Sequence, residues 1–134
     1  MTKFMWFQLI SIIVVLGVLV TICVVEDKLV TESLNNVADY CYKIESAMEE
    51  NDGIKNEDVS NLVFNLEYDW LKDEGNLCFL VNHKSIQEIG VEVSKLKTYI
   101  EENDIKEFSV SLELIKLYAE QYFHFMGASF HNIL

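Results

Sequence analysis

The stretch that decides the architecture of this chain is FMWFQLISIIVVLGVLVTICVV, residues 4–25. It contains no charged side chain, and its polar side chains are Gln8, Ser11 and Thr21. As an α-helix it would be roughly 33 Å long, enough to cross a hydrocarbon core of about 30 Å. Trp6, near its amino end, suits the interface between membrane and water. Residues 4–25 are therefore predicted to form a transmembrane helix that contacts membrane lipid.

Two other uses of such a segment fit the sequence less well. A cleaved signal peptide has a shorter apolar region, roughly 7–15 residues, and small residues at its cleavage site, which residues 21–25 do not offer. Cys23 is the residue type that bacterial lipoproteins acylate, but Ile22 stands where a small residue would be needed. We therefore divide the chain into a membrane anchor, residues 1–25, and a second domain, residues 26–134.

Charge is distributed unevenly between these two parts. All 22 acidic residues lie at or after Glu26, and Lys3 is the only charged side chain before it. The positive-inside tendency therefore predicts a cytoplasmic amino terminus and an extracytoplasmic second domain in the cell membrane. That domain has nine Lys against 22 acidic residues, a net charge of −13. Such an acidic surface argues against nucleic-acid binding, which requires clustered cations.

Beyond the anchor, apolar residues recur with the period of an α-helix in four segments. The predicted helices cover residues 28–51, 56–82, 85–102 and 104–126. Their apolar stripes are Val30, Leu34, Val37, Cys41, Ile44 and Met48; Val59, Leu62, Val63, Leu66, Trp70, Leu77 and Leu80; Ile86, Ile89, Val93, Leu96 and Ile100; and Ile105, Phe108, Leu112, Ile115, Ala119, Tyr122 and Met126.

The residues between these segments are typical of helix ends. Asn51-Asp52-Gly53 and Asn103-Asp104 favour turns, Asn56 is a predicted N-cap, and Ser85 with Glu88 resembles a capping box. The chain has no proline, and no stretch alternates apolar and polar residues over the length of a β-strand. The predicted fold is all-α, a transmembrane helix followed by an antiparallel up-down bundle of three to four helices.

Motifs that would indicate catalysis, a metal or a cofactor are missing from the sequence. The three histidines form no His-x-x-x-His or Glu-x-x-His pair, and there is no Gly-x-Ser-x-Gly, phosphate loop or Cys-x-x-Cys. In a hairpin of the first two bundle helices, Cys41 and Cys78 would be offset by about 11 residues along the helix axis. That offset is roughly 16 Å, which is too far for a disulfide bond. We therefore expect a protein that is not an enzyme and has no cofactor.

Two groups of residues are candidates for binding. Trp70, Asp73 and His83 lie towards the junction after the second helix, and helical bundles bind small ligands between helices. Aromatic side chains are also dense near the carboxyl end, on more than one face of the last helix: Tyr118, Tyr122, Phe123, Phe125 and Phe130. The core can bury only one face of this helix. The remaining aromatic side chains are therefore either covered by the C-terminal tail, exposed to a partner or inserted into the membrane interface.

The order of these features resembles a known family. An amino-terminal anchor precedes a helical region with Trp70, then His83 with Ile86 and Ile89; a Leu-x-x-Leu-like helix follows the Asn103-Asp104 turn, and the chain ends in Asn-Ile-Leu. This pattern is similar to the DUF4363 family, small membrane-anchored proteins of spore-forming and related Gram-positive bacteria with no assigned function. The resemblance implies a bacterial membrane address and no catalytic residues.

The sequence thus predicts a non-enzymatic, single-pass membrane protein whose acidic helical domain is an interaction or accessory module. Its partner would be another membrane or envelope protein. The alternative is a membrane-tethered sensor whose bundle binds a small ligand near Trp70, Asp73 and His83.

Overall fold

The computed structural model describes residues 2–77 and 83–133, with the side chains of all these except Asn76, His83, Ser85 and residues 122–133. Within them the chain forms helices and turns but no strand. The helices are α1 (Thr2–Asn51), α2 (Glu57–Leu77), α3 (His83–Glu102) and α4 (Ile105–Ile133). The predicted all-α fold, a long apolar amino-terminal helix followed by packed helices, is confirmed.

The chain divides into two compact units, Met1–Thr31 and Glu32–Leu134. In the first unit every side chain of residues 4–25 is exposed. Thr21 satisfies its hydroxyl within the helix by donating a hydrogen bond of 2.8 Å to the Gly17 carbonyl. Among the described helices, α1 is the one long and apolar enough to cross a membrane.

The second unit is built on the predicted apolar stripes. Its buried apolar side chains are Leu34, Val37, Cys41, Ile44, Ala47, Ile54, Val59, Val63, Leu66, Trp70, Leu77, Ile86, Ile89, Val93, Leu96, Phe108, Leu112, Ile115 and Ala119. The periodicity missed Ala47 and Ile54. It also named Met48, Leu62 and Ile100, which are half-buried, and Ile105, which is exposed because it lies at the start of its helix. Leu80, Tyr122 and Met126 lie outside the described side chains.

The four helices of this unit enclose one core. Helix α3 packs against both α2 and α4. Tyr40 of α1 donates a hydrogen bond of 2.6 Å to Asp69 of α2, and Lys116 of α4 forms an ion pair with Glu45 of α1. Each helix therefore contacts its neighbours in the chain, and α4 returns to α1, as in an up-down bundle.

Two helix ends are closed by residues with left-handed backbone conformation. Asp52 has a φ of 52° and Asn103 a φ of 53°. The next residue in each case bonds back to the last turn: Gly53 N–H to the Met48 carbonyl at 3.0 Å, and Asp104 N–H to the Tyr99 carbonyl at 2.9 Å. These bonds satisfy carbonyls that a helix end leaves unpaired, so both predicted turns are confirmed.

Helix starts agree with the prediction at one position and differ at another. Asn56 caps α2, because its Oδ1 accepts the Val59 N–H at 2.9 Å. The predicted N-cap at Ser85 is wrong, because α3 begins at His83 and Ser85 lies within its first turn.

The prediction that the last helix ends near residue 126 is also wrong, because α4 continues to Ile133. A single glycine at 127 costs a helix only about 1 kcal/mol, and no proline follows to stop it. The predicted end of α2 at residue 82 lies outside the described residues.

Candidate functional site

Helix α2 carries a row of exposed apolar side chains. Phe64, Tyr68 and Leu71 are 67%, 64% and 62% exposed. Their spacing of four and then three residues puts them on one face of the helix. Contiguous apolar side chains on a soluble surface are typical of interaction sites. We name these three residues the α2 stripe.

The apolar period of the sequence does not single out the α2 stripe, because the stronger apolar series on each helix is the one that builds the core. The signal was present: Phe64, Tyr68 and Leu71 form a second series of helical spacing, displaced from the buried series around Val63 and Trp70. How much of the surface of α2 is covered by α3 decides which of the two series stays exposed. The helical period of the sequence does not contain that information.

A groove runs beside this stripe along the seam of α2 and α3. It consists of a depression of 350 Å³ that includes Trp70 and Leu71, and one of 210 Å³ that includes Phe64 and Ile100. Glu67 lines both depressions, so they adjoin along the seam. We call this trough the α2–α3 groove; it is lined mainly by Ser60, Phe64, Glu67, Leu71 and Glu74 of α2 and by Gln87, Gly90, Val91, Lys97 and Glu101 of α3.

The groove is elongated. From Ser60 to Glu74, α2 advances by 14 residues, which is about 21 Å of helix. Leu71 and Val91 on its walls are themselves more than half exposed, so the trough opens to solvent. A surface of this length suits an extended or helical segment of chain better than a compact small molecule.

Trp70 forms the floor of the larger depression. Its side chain is only 2% exposed, and among the described residues its indole Nε1 has no hydrogen-bond partner. Gly90 permits this close packing, because a β-carbon there would lie 3.1 Å from Trp70 Nε1 and 3.3 Å from Glu74 Oε1. A buried N–H without an acceptor is unfavourable by roughly 1–3 kcal/mol. The floor of the groove therefore contains a buried donor that is unsatisfied.

The electrostatic character of the groove is negative. Helix α2 carries six acidic residues and one lysine over Glu57–Leu77, a net charge of −5. Glu67, Glu74 and Glu101 lie on the groove walls, and Lys97 is the basic residue among those that line it. Apolar and acidic side chains alternate along the α2 wall, so a complementary ligand would combine apolar and cationic groups.

Polar groups elsewhere in the bundle are paired with one another. Glu92 accepts hydrogen bonds from Ser111 at 2.8 Å and from Lys95 at 3.0 Å. Lys116 pairs with Glu45 and with Glu113 and lies 5.2 Å from the centre of the Tyr42 ring. Burial acts to lower the pKa of Lys116, but the hydrogen bonds to Glu113 and Glu45 outweigh it and raise that pKa above its usual value. These groups stabilise the bundle.

Cys41 is not placed for nucleophilic chemistry. It is a free thiol with no exposed surface. Burial, opposed by the nearby charge of Lys116, raises the pKa of the Cys41 thiol to about 12. Since the thiolate is the reactive form, Cys41 acts as a small apolar side chain of the core.

A larger depression of 580 Å³ lies between α1 and α2. Two of its polar residues already have partners: Asp58 accepts a hydrogen bond of 3.1 Å from Asn51, and Lys43 Nζ lies 5.7 Å from the centre of the Tyr40 ring. The α2–α3 groove is the better candidate, because it combines exposed apolar side chains with an unpaired buried donor.

The predicted ligand residues are only partly brought together. Trp70 lines the groove, but its acidic neighbours there are Glu67 and Glu74, whereas Asp73 is half-buried and is not among the lining residues. His83 begins α3, and its side chain lies outside those described. In the described part of the chain, no three His, Cys, Asp or Glu side chains are grouped to hold a metal ion.

The predicted partner surface on the last helix falls largely outside the described side chains. Tyr118 is half-buried. The other four aromatic residues lie on α4, and their side chains are outside those described: Tyr122, Phe123, Phe125 and Phe130. That surface stays a prediction.

Comparison with known proteins gives one match. Neither a curated protein nor a solved structure matches the chain. A family model described as a domain of unknown function, DUF4363, matches residues 25–133, which is most of the sequence and nearly all of the helical bundle. The resemblance noted from the sequence is therefore confirmed, and the chain belongs to the DUF4363 family.

Proposed function

We propose that this protein is a non-enzymatic, single-pass membrane protein whose acidic helical bundle binds another membrane or envelope protein. The observation that carries the proposal is the α2 stripe. Its three large apolar side chains are each more than 60% exposed and share one helix face, and exposed apolar rows of this kind mark protein interaction surfaces.

The apolar part of α1 supports the membrane component of the proposal. Its most apolar window has no residue buried within the protein, whereas the core helix of a soluble protein is mostly buried. The segment is long enough to span a bilayer, and Lys3 before it with Glu26 and Asp27 after it favour a cytoplasmic amino terminus. The bundle is then extracytoplasmic.

The alternative function, binding of a small ligand by the bundle, has weaker support. Trp70 Nε1 is an unpaired donor beside a depression of 350 Å³, a volume that would hold a small molecule. However, that depression is an open trough on the seam of two helices, and Asp73 does not line it. Ligand sites of bundles are usually enclosed between the helices.

Site-directed photo-crosslinking in intact cells tests the proposed interaction. A photoreactive amino acid replaces Tyr68 on the α2 stripe in the full chain. The matched control is Asn36, which is exposed on α1 rather than on α2. We expect a discrete crosslinked product from position 68 that weakens when Phe64 and Leu71 are changed to serine. Equal labelling from both positions, or none from position 68, would contradict the proposal.

Labelling of an introduced cysteine tests the membrane arrangement. In a chain with Cys23 and Cys78 changed to serine, Asn65→Cys should react with a membrane-impermeant thiol reagent added to intact cells. The protein should stay in the membrane fraction at full length. Protection from the reagent would reverse the orientation, and release of a shortened chain would indicate a cleaved signal sequence.

A further inference from the structure

We propose that the α2–α3 groove binds a basic, amphipathic peptide segment of the partner protein. This inference rests on the proposed function and specifies its partner chemistry. The groove has three features that such a segment would match together: an apolar wall, acidic side chains at regular intervals, and a buried donor that lacks an acceptor.

Charge complementarity selects a basic segment. Glu67 and Glu74 lie seven residues apart on α2, two helical turns, with Leu71 between them on the same wall. A partner helix with lysine or arginine at the same spacing would place cations beside both carboxylates and an apolar residue beside Leu71. With its own net charge of −5, α2 would be repelled by α2 of a second copy of this chain.

The indole of Trp70 supplies a further recognition element. Its Nε1 is buried and without an acceptor among the described residues, and it packs closely on Gly90, which lines the groove. Because Nε1 is itself covered, a carbonyl of the bound segment would satisfy this N–H once the Glu74 side chain, which lies beside the same point, moves aside. The Glu74 carboxylate borders the same space and is the flexible end of its side chain, so it can turn outward to meet a partner cation.

A membrane surface is a less suitable occupant of the same groove. The α2 stripe is apolar enough to enter a lipid interface, but Glu67, Glu74 and Glu101 would approach anionic headgroups at the same time. Binding to an anionic membrane would therefore be opposed by charge. Zwitterionic lipids carry an ammonium group, but the adjacent phosphate cancels its charge, so their surface has no net positive charge to attract the carboxylates.

Fluorescence of Trp70 reports occupancy directly. The sequence has two tryptophans, so in the full-length Trp6→Phe protein Trp70 is the sole indole. The protein, in a non-ionic detergent, is titrated with a synthetic helical peptide of leucine and lysine about 14 residues long, the length of the groove. A peptide of the same length and leucine pattern with glutamate in place of lysine is the control for detergent partitioning.

We expect a saturable change in Trp70 emission with the lysine peptide, weakened by added salt, and none with the glutamate peptide. Glu67→Gln with Glu74→Gln should lower the affinity about tenfold or more. Removing the same number of charges elsewhere, by Glu49→Gln with Glu120→Gln on exposed positions of α1 and α4, should change it less than twofold.

Equal affinities for the two double variants, or equal binding of the two peptides, would overturn the assignment of a basic segment to this groove. If anionic lipid vesicles change the Trp70 emission more than the lysine peptide does, the assignment is also overturned, and a membrane surface is the better occupant of the groove. Crosslinking from position 68 to a partner without a basic segment would leave the proposed function intact while rejecting this inference. Absence of crosslinks together with tight lysine-peptide binding would reject the proposed function alone.

Discussion

The hydroxyl of Ser111 on α4 donates a hydrogen bond of 2.8 Å to Glu92 Oε2 on α3, and both residues are buried. Lys95 donates to the other carboxylate oxygen at 3.0 Å. A buried carboxylate is tolerated only when hydrogen bonds replace its lost water. Ser111 therefore supplies a hydrogen bond that the buried Glu92 carboxylate needs. From the helical period alone, an apolar residue would be expected at position 111.

We expect Ser111→Ala to lower the free energy of unfolding by about 1–2 kcal/mol, because one oxygen of a buried carboxylate loses its donor. Chemical denaturation of the Trp6→Phe protein, followed by Trp70 fluorescence, measures this. Ser46→Ala, at an exposed position of α1, is the control and should be nearly neutral. Combining Ser111→Ala with Glu92→Leu should recover much of the loss, and a further loss of similar size would argue against this explanation.

Tyr40 should make the stability of the bundle sensitive to alkaline pH. Its hydrogen bond of 2.6 Å to Asp69 raises the pKa of Tyr40 above its usual value of 10.0, with burial adding to the effect. A raised pKa in the folded state means that this stabilisation is fully present below pH 10.0 and is lost as the pH rises through the folded-state value.

Tyr40→Phe should therefore lower the free energy of unfolding by about 1 kcal/mol at neutral pH and make its decline above pH 10.0 shallower. Denaturation curves at neutral and alkaline pH measure both effects. Tyr68→Phe, on the exposed stripe, is the control and should change neither. An unchanged alkaline decline in Tyr40→Phe would show that other groups are responsible for it.

Two glycines on the helices that form the groove should respond oppositely to alanine. A β-carbon at Gly75 would contact nothing within 4 Å, so Gly75→Ala should stabilise α2 by about 0.5–1 kcal/mol through its higher helix propensity. At Gly90 the new carbon would lie 3.1 Å from Trp70 Nε1, and the indole is buried and has little room to move.

Gly90→Ala should therefore destabilise the protein by about 1 kcal/mol despite the same gain in propensity. It should also shift the emission of Trp70, which Gly75→Ala should leave unchanged. Denaturation and emission spectra in the Trp6→Phe background give both readouts. If Gly90→Ala is as stabilising as Gly75→Ala, the packing of Trp70 on Gly90 is looser than the structure indicates.

Cys41 should react with thiol reagents only when the bundle unfolds. It has no exposed surface, and with a pKa of about 12 roughly one thiol in ten thousand is ionised at pH 8. In a chain with Cys23 and Cys78 changed to serine, we expect negligible labelling in native buffer and complete labelling in denaturant. A variant that keeps Cys23 as its single cysteine, labelled in the same denaturant, provides the reference rate for a fully accessible thiol. Rapid native labelling of Cys41 would indicate local opening of α1.

The amino-acid sequence by itself determined the helices and most of the core. Regular spacing of residues such as Leu34, Leu66, Ile89 and Leu112 places each series on one helix face, and short polar turns leave few ways to arrange consecutive helices. The candidate membrane span at residues 4–25 is also identified from local sequence, because the length and composition of the uncharged run are sufficient.

Only the tertiary structure decided which apolar residues stay exposed and which polar groups meet. Phe64 and Val63 are neighbours of similar character in the sequence, yet Val63 is buried and Phe64 is 67% exposed. That outcome depends on how much of α2 is covered by its neighbours, which a period of 3.6 residues does not specify. The approach of Gly90 to Trp70 likewise joins residues 20 positions apart, and distance along a chain carries no information about such contacts.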